Sequence, residues 1–140
     1  GQLIMNNNSI GTHNIALGSS ALVNNTLGSK NVAFGRFTVN GTSSMGNTVF
    51  GKYSGGVNVT KNYCTSIGYQ SCRYTNGSYH VAVGEYAMRD GISSGNRSVA
   101  VGRRALQALT SGNRNTAVGR YALRLTTSGS DNTAIGFNTL

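Results

Sequence analysis

A chain of 140 residues with 20 glycines, no proline, no tryptophan and only 11% charged residues is not composed like an ordinary globular domain, where about a quarter of the residues carry charge. Its net charge of +9 would suit a polyanionic partner or keep a repetitive surface solvated. Arg36, Lys52, Arg73, Arg103, Arg120 and Arg124 are spread out with no dense basic block, so the solvated face is the preferred reading and no nucleic-acid partner is expected.

In chain order, one pentapeptide pattern recurs eight times with some substitution: asparagine, a variable residue, alanine, an apolar residue, glycine. The copies are Asn14 to Gly18, Asn31 to Gly35, Asn47 to Gly51, Cys64 to Gly68, His80 to Gly84, Ser98 to Gly102, Asn115 to Gly119 and Asn132 to Gly136. Their closing glycines recur at an almost fixed interval. A unit this short cannot bury its own apolar face and must stack on copies of itself. The expected fold is all-β, a parallel β-solenoid or β-roll of about eight coils with about 16–18 residues per coil, forming one domain over 1–140. The chain opens near mid-pattern and ends inside a repeat, so a piece of a longer repetitive chain is expected.

Within each copy the second slot is β-branched throughout: Ile15, Val32, Thr48, Thr65, Val81, Val99, Thr116 and Thr133. Such side chains fit a pleated strand. The next slot is small (Ala16, Ala33, Val49, Ser66, Ala82, Ala100, Ala117, Ala134), and the residue before the glycine is large and apolar. One strand face therefore carries bulk and is expected to be the core slot, while the other permits close approach by the opposite wall of the same coil or by a neighbouring chain. After the glycine an apolar pair such as Ala21-Leu22, Ala105-Leu106 or Ala122-Leu123 predicts a second short strand, and polar stretches such as Thr126 to Gly129 predict turns. A helix competes for 103–109 and 120–125, but segments this short make poor isolated helices.

Asn14, Asn31, Asn47, Asn115 and Asn132 are expected to stack as a structural ladder, each amide bonding to those above and below. Cys64, His80 and Ser98 interrupt that row, and His80 in its slot is expected to play a hydrogen-bonding structural role rather than a catalytic one. The recurring glycine marks a contact that a Cβ would block.

Nothing in the chain has the pattern of an active site. Glu85, Asp90 and Asp131 are far apart in register, and acid–base work needs convergent titratable groups. No catalysis, cofactor or metal site is expected. Cys64 and Cys72 lie within one coil, and the spacing admits either a disulfide, if their Cα atoms fall within about 7 Å, or two small buried thiols. Gly46 to Lys52 has the spacing of a phosphate-binding loop, but Tyr53 stands where that motif needs Ser or Thr, and the segment is simply the third repeat. Six Asn-x-Ser/Thr sequons, at Asn7, Asn24, Asn40, Asn58, Asn76 and Asn96, place about one per early coil, mostly in polar turns. They read either as N-glycosylation sites lining the rod or as good turn sequences. No run approaches the roughly 18 apolar residues of a membrane-spanning helix.

Ser98-Val-Ala-Val-Gly102 and Asn115-Thr-Ala-Val-Gly119 resemble the head-domain repeats of trimeric autotransporter adhesins. Asn115 to Leu123 is similar to repeats of phage tail fibres and large-virus surface proteins. The resemblance covers nearly the whole chain and implies a left-handed parallel β-roll, often trimeric, that builds a stalk or head binding host surfaces or matrix. The adhesin repeat is somewhat shorter than the repeat in this chain, and no coiled-coil neck is present.

The expected function is structural: an extracellular or virion-surface fibre, self-associating as a homotrimer or end-to-end polymer and glycan-coated if the sequons are used. The alternative is an adhesin or tail-fibre module that binds a host surface or an anionic glycan through a basic face bearing Tyr53, Tyr69, Tyr86 and Tyr121. Lys61 to Tyr79, with both cysteines, is the clearest break in the repeat.

Overall fold

The computed structural model describes residues 7–39, 41–56, 60–90 and 95–140. The pentapeptides form eight short strands: β1 (Ile15–Leu17), β2 (Val32–Phe34), β3 (Thr48–Phe50), β4 (Thr65–Ile67), β5 (Val81–Val83), β6 (Val99–Val101), β7 (Thr116–Val118) and β8 (Thr133–Ile135). They make one parallel sheet in chain order. Equivalent residues pair throughout, from Ile15 with Val32 at one end to Val118 with Ile135 at the other. The chain is thus an all-β parallel solenoid of about seven turns, without helix among the described residues. Neither 103–109 nor 120–125 is helical. At about 4.8 Å per coil, the strands span a rod face roughly 34 Å long.

The small residues, not the bulky ones, face the interior. Ala33, Ala82, Ala100 and Ala117 are fully buried, whereas Leu17 is 59% exposed, Ile67 40% and Ile135 70%. The expected core slot is therefore on the outside, and the small face is the one that meets the opposite wall of the same coil. The reason lies on the opposite wall, where Leu22, Val39, Met88, Leu106 and Leu123 already fill the lumen. Backbones this close leave room for one large and one small side chain per coil. In the third coil the volumes are exchanged: Val49 takes the small slot, and Gly55 stands where other coils carry the large residue. A Cβ on Gly55 would lie 2.8 Å from Val49 Cγ2.

The expected second short strand is not formed. Two columns of residues after the glycine, Phe37, Tyr53, Gln70, Tyr86, Arg104 and Tyr121, then Leu22, Val39, Cys72, Met88, Leu106 and Leu123, have φ between 44° and 66°. A backbone that turns left-handed at alternate residues cannot be extended, and for non-glycine residues it costs roughly 1–2 kcal/mol each. Inter-coil hydrogen bonds offset this: Leu106 N–H donates to Ala122 O at 3.0 Å and Tyr121 N–H to Arg103 O at 3.0 Å. The second column also buries its side chains.

The apolar interior falls into two clusters. One joins Ala21, Leu22, Ala33, Val39 and Val49, and the other runs from Cys72 and Ala82 to Ala134. Between them Ser54, Ser66 and Ser71 are fully buried. Ser54 Oγ lies 2.8 Å from Ser66 Oγ, Ser66 Oγ donates to Ser71 O at 2.9 Å, and Ser71 Oγ donates to Ala82 O at 2.9 Å.

Candidate interaction surface and the polar columns behind it

The asparagine ladder forms and is more general than its asparagines. Asn31 Nδ2 donates to Asn14 Oδ1 at 3.1 Å, Asn47 Nδ2 to Asn31 Oδ1 at 2.9 Å and Asn132 Nδ2 to Asn115 Oδ1 at 2.8 Å. Each acceptor also takes the backbone N–H of the following coil, as in Asn47 N to Asn31 Oδ1 at 3.0 Å. The amides donate to nearby carbonyls as well, as Asn115 Nδ2 does to Gly129 O at 2.8 Å.

His80 and Ser98 continue the row rather than break it. Ser98 N–H donates to His80 Nδ1 at 3.2 Å, and His80 Nε2 lies 2.9 Å from Gly95 O. A neutral imidazole protonated at Nε2 satisfies both bonds, one as acceptor and one as donor. Ser98 Oγ then accepts Asn115 N–H at 3.2 Å. Only Cys64 is a weak substitute, its Sγ 3.7 Å from Gly77 O. Two positions before this slot a second polar column runs in the opposite sense. Thr12 N–H donates to Ser29 Oγ, Met45 N–H to Asn62 Oδ1, Ser78 N–H to Asn96 Oδ1, Asn96 N–H to Asn113 Oδ1 and Asn113 N–H to Ser130 Oγ. The signal for it was present, because Ser, Thr or Asn occupies that position in every copy but the one with Met45.

Burial lowers the pKa of His80 to about 4, below the unfolded value near 6.5. The unfolded chain therefore takes up this proton first. The stability His80 supplies is complete above about pH 6.5 and is lost as pH falls towards 4, by about 3 kcal/mol at full extent. The variant His80→Asn restores the repeat's own residue and should keep the fold while losing less Tm between pH 7 and 4.5 than the parent. Equal acid sensitivity in thermal melts of the two proteins would refute this role.

The fourth coil gathers Lys61, Cys64 and Cys72. Lys61 is buried, with its Nζ donating to Cys72 O, and its ammonium has no carboxylate partner among the described residues. Cys64 and Cys72 are free buried thiols, not bonded to each other. Desolvation lowers the Lys61 pKa, raises that of Cys64 and pushes Cys72 up to about 11. Both thiols stay protonated and closed to solvent, the opposite of what a nucleophilic cysteine needs. No group of three His, Cys, Asp or Glu is arranged to hold a metal among the described residues.

Of the sequons, Asn7 and Asn76 are exposed and Asn24 and Asn96 half-buried, while Asn40 and Asn58 lie outside the described residues. Asn7 Nδ2 is 3.5 Å from Asn24 Oδ1, and Asn96 Oδ1 is engaged in the second polar column.

Two outer surfaces remain. The first is the sheet's outward face, where Ile15, Leu17, Phe50, Ile67 and Ile135 are exposed and Phe34 stacks on Phe50 at 4.8 Å. The second is the corner that follows the strands. Phe37 stacks on Tyr53 at 5.5 Å, Tyr53 meets Tyr69 edge-on at 6.5 Å, and Tyr69 meets Tyr86 at 5.5 Å. Further along, Tyr121 lies 6.2 Å from Phe137. Cations cover these rings: Arg36 over Phe37, Lys52 and Arg73 over Tyr53, Arg89 and Arg104 over Tyr86, and Arg103, Arg120 and Arg124 over Tyr121.

No helix among the described residues is long and apolar enough to cross a membrane. No family model, curated protein or solved structure matches the chain.

Proposed function

We propose that this chain is a structural segment of an extracellular or virion-surface fibre, in which rods associate side by side through the outward face of the sheet. The observation that carries the reading is the inverted strand: bulky residues point outward in fixed register while alanines line the lumen. β1 to β8 place no charged residue on that face, and an apolar stripe of this length is normally covered. A second copy is the natural cover, because its ridges repeat with the same period. The extracellular placement rests on the sequons at Asn7, Asn24, Asn76 and Asn96, of which Asn7 and Asn76 are exposed for a glycan to project from. Mass excess at those residues, in protein from its natural source, would support that placement.

Sedimentation of the purified chain tests the association. The parent should form a discrete trimer or a lateral polymer, and Phe34→Thr/Phe50→Thr/Ile67→Thr should sediment as a monomer with an unchanged circular dichroism spectrum. A parent that stays monomeric at high concentration would sink the reading.

A further inference from the structure

We infer that the corner following the strands is a binding site for a linear anionic polysaccharide, sulfated or carboxylated, lying along the rod. This inference rests on a different surface from the lateral association proposed above and stands or falls independently of it.

The charge of the molecule is concentrated there. Eight of the 12 basic side chains, Arg36, Lys52, Arg73, Arg89, Arg103, Arg104, Arg120 and Arg124, lie over the ring file. Two of the three acids sit among them, Glu85 on Arg103 at 2.8 Å and Asp90 on Arg89. The other six cations have no ion-pair partner among the described residues. The Nε–H of Arg73, Arg104 and Arg124 is buried against the protein, so it is the outer Nη groups of these guanidinia that face a ligand. The result is a band of net positive charge along the corner, with cations one, two or five residues after the closing glycines of coils stacked about 4.8 Å apart.

The rings order that band. A guanidinium held over an aromatic face has already lost part of its conformational freedom and keeps N–H donors for a second partner. Carboxylate and sulfate oxygens suit that fork. Where the sixth coil lacks an aromatic, Arg104 reaches Tyr86 at 5.4 Å and Arg103 reaches Tyr121 at 5.8 Å, and Arg103 Nη1 donates to Tyr121 Oη at 2.8 Å. The file thus continues across the gap.

The same packing selects the class of polyanion. Proteins that hold single-stranded nucleic acid gain about 1–3 kcal/mol per base by stacking bases on open aromatic faces. Here most of the faces are taken by neighbouring rings or by cations, which leaves charge and hydroxyl contacts as the main means of recognition. A flexible sugar polymer with regularly spaced anions meets those requirements without stacking.

The test compares two charge-matched pairs. Arg73→Gln/Arg104→Gln removes two cations from the file, and Lys30→Gln/Arg97→Gln removes two exposed cations placed elsewhere in the coil. Titration with dextran sulfate and with polygalacturonate at moderate salt should show affinity for at least one polymer. That affinity should be roughly tenfold weaker in the first pair and about twofold weaker or less in the second, as expected for local charge contacts rather than net charge. Arg36→Gln/Arg120→Gln provides a second edge pair, and thermal melts exclude unfolding as the cause. Equal weakening by the edge and control pairs would overturn the inference. So would tighter binding of oligothymidine or anionic vesicles than of either polysaccharide. Running the same titrations on Phe34→Thr/Phe50→Thr/Ile67→Thr separates this site from lateral association, since binding should survive there.

Discussion

Gly102→Val should destabilise the rod by more than about 4 kcal/mol, a size reached by few single substitutions. Gly102 has φ of +131°, and a Cβ there would lie 2.5 Å from Gly119 O and 2.6 Å from Gly119 C. Those atoms are backbone in the adjacent coil, so relief requires the two coils to separate and their hydrogen bonds to break. Against a total stability of about 5–15 kcal/mol typical of domains, Tm should fall by roughly 15 °C or more. Gly136 provides the control. Its φ is also +131°, but a Cβ would meet only Thr139 Cγ2 at 3.2 Å. Gly102→Ala should therefore cost clearly more than Gly136→Ala, and the difference measures the inter-coil contact apart from backbone strain. Equal losses in the two alanine variants would assign the whole effect to strain. An unchanged Tm for Gly102→Val would remove the close-contact role altogether.

Asn31→Leu is the second large effect expected, a loss of about 2–6 kcal/mol from two buried backbone groups left unpaired at roughly 1–3 kcal/mol each. Asn31 is fully buried and makes bonds on three sides. Its Nδ2 donates to Ser44 O at 2.6 Å and Asn14 Oδ1 at 3.1 Å, and its Oδ1 accepts Asn47 N–H at 3.0 Å and Asn47 Nδ2 at 2.9 Å. Leucine fills the space but leaves Ser44 O and Asn47 N–H without these partners. Asn31→Ser should cost less, because a hydroxyl keeps an acceptor for the following N–H, as Ser98 does for Asn115. If thermal melts rank serine no better than leucine, the ladder contributes through packing rather than hydrogen bonding.

The sequence carried the register of this fold plainly. Glycines recurring at an almost fixed interval and a β-branched residue at one constant slot leave little choice but in-register parallel stacking, and the strands fall on those residues. The asparagine row was also legible, since an amide offers the donor and acceptor that a stack requires. A hydrogen-bonding role for His80 in that slot was legible too, and the positions of Ser98 N and Gly95 O supplied its partners. The polar second column was visible as Ser, Thr and Asn but had no assigned partner until the coils were superposed.

What the tertiary structure decided was which side of each strand is inside. Alternation with period two separates Ala33 from Val32 and Phe34, yet it is symmetric between interior and exterior. The choice depends on the opposite wall, a short way further along each coil, and there Leu22, Val39 and Leu106 claim the volume of the lumen. The basic face bearing Tyr53, Tyr69, Tyr86 and Tyr121 was legible in the repeat, and the tertiary structure decided which cations lie over which rings. Phe37, Tyr53 and Tyr86 are separated by whole coils in sequence and come to share one file only because each coil returns the chain to the same corner. Local propensity and periodicity were enough to determine the coil and its repeat. The sidedness of the sheet and the seating of cations on particular rings follow from distances across and between coils, which the periodicity of the sequence does not contain.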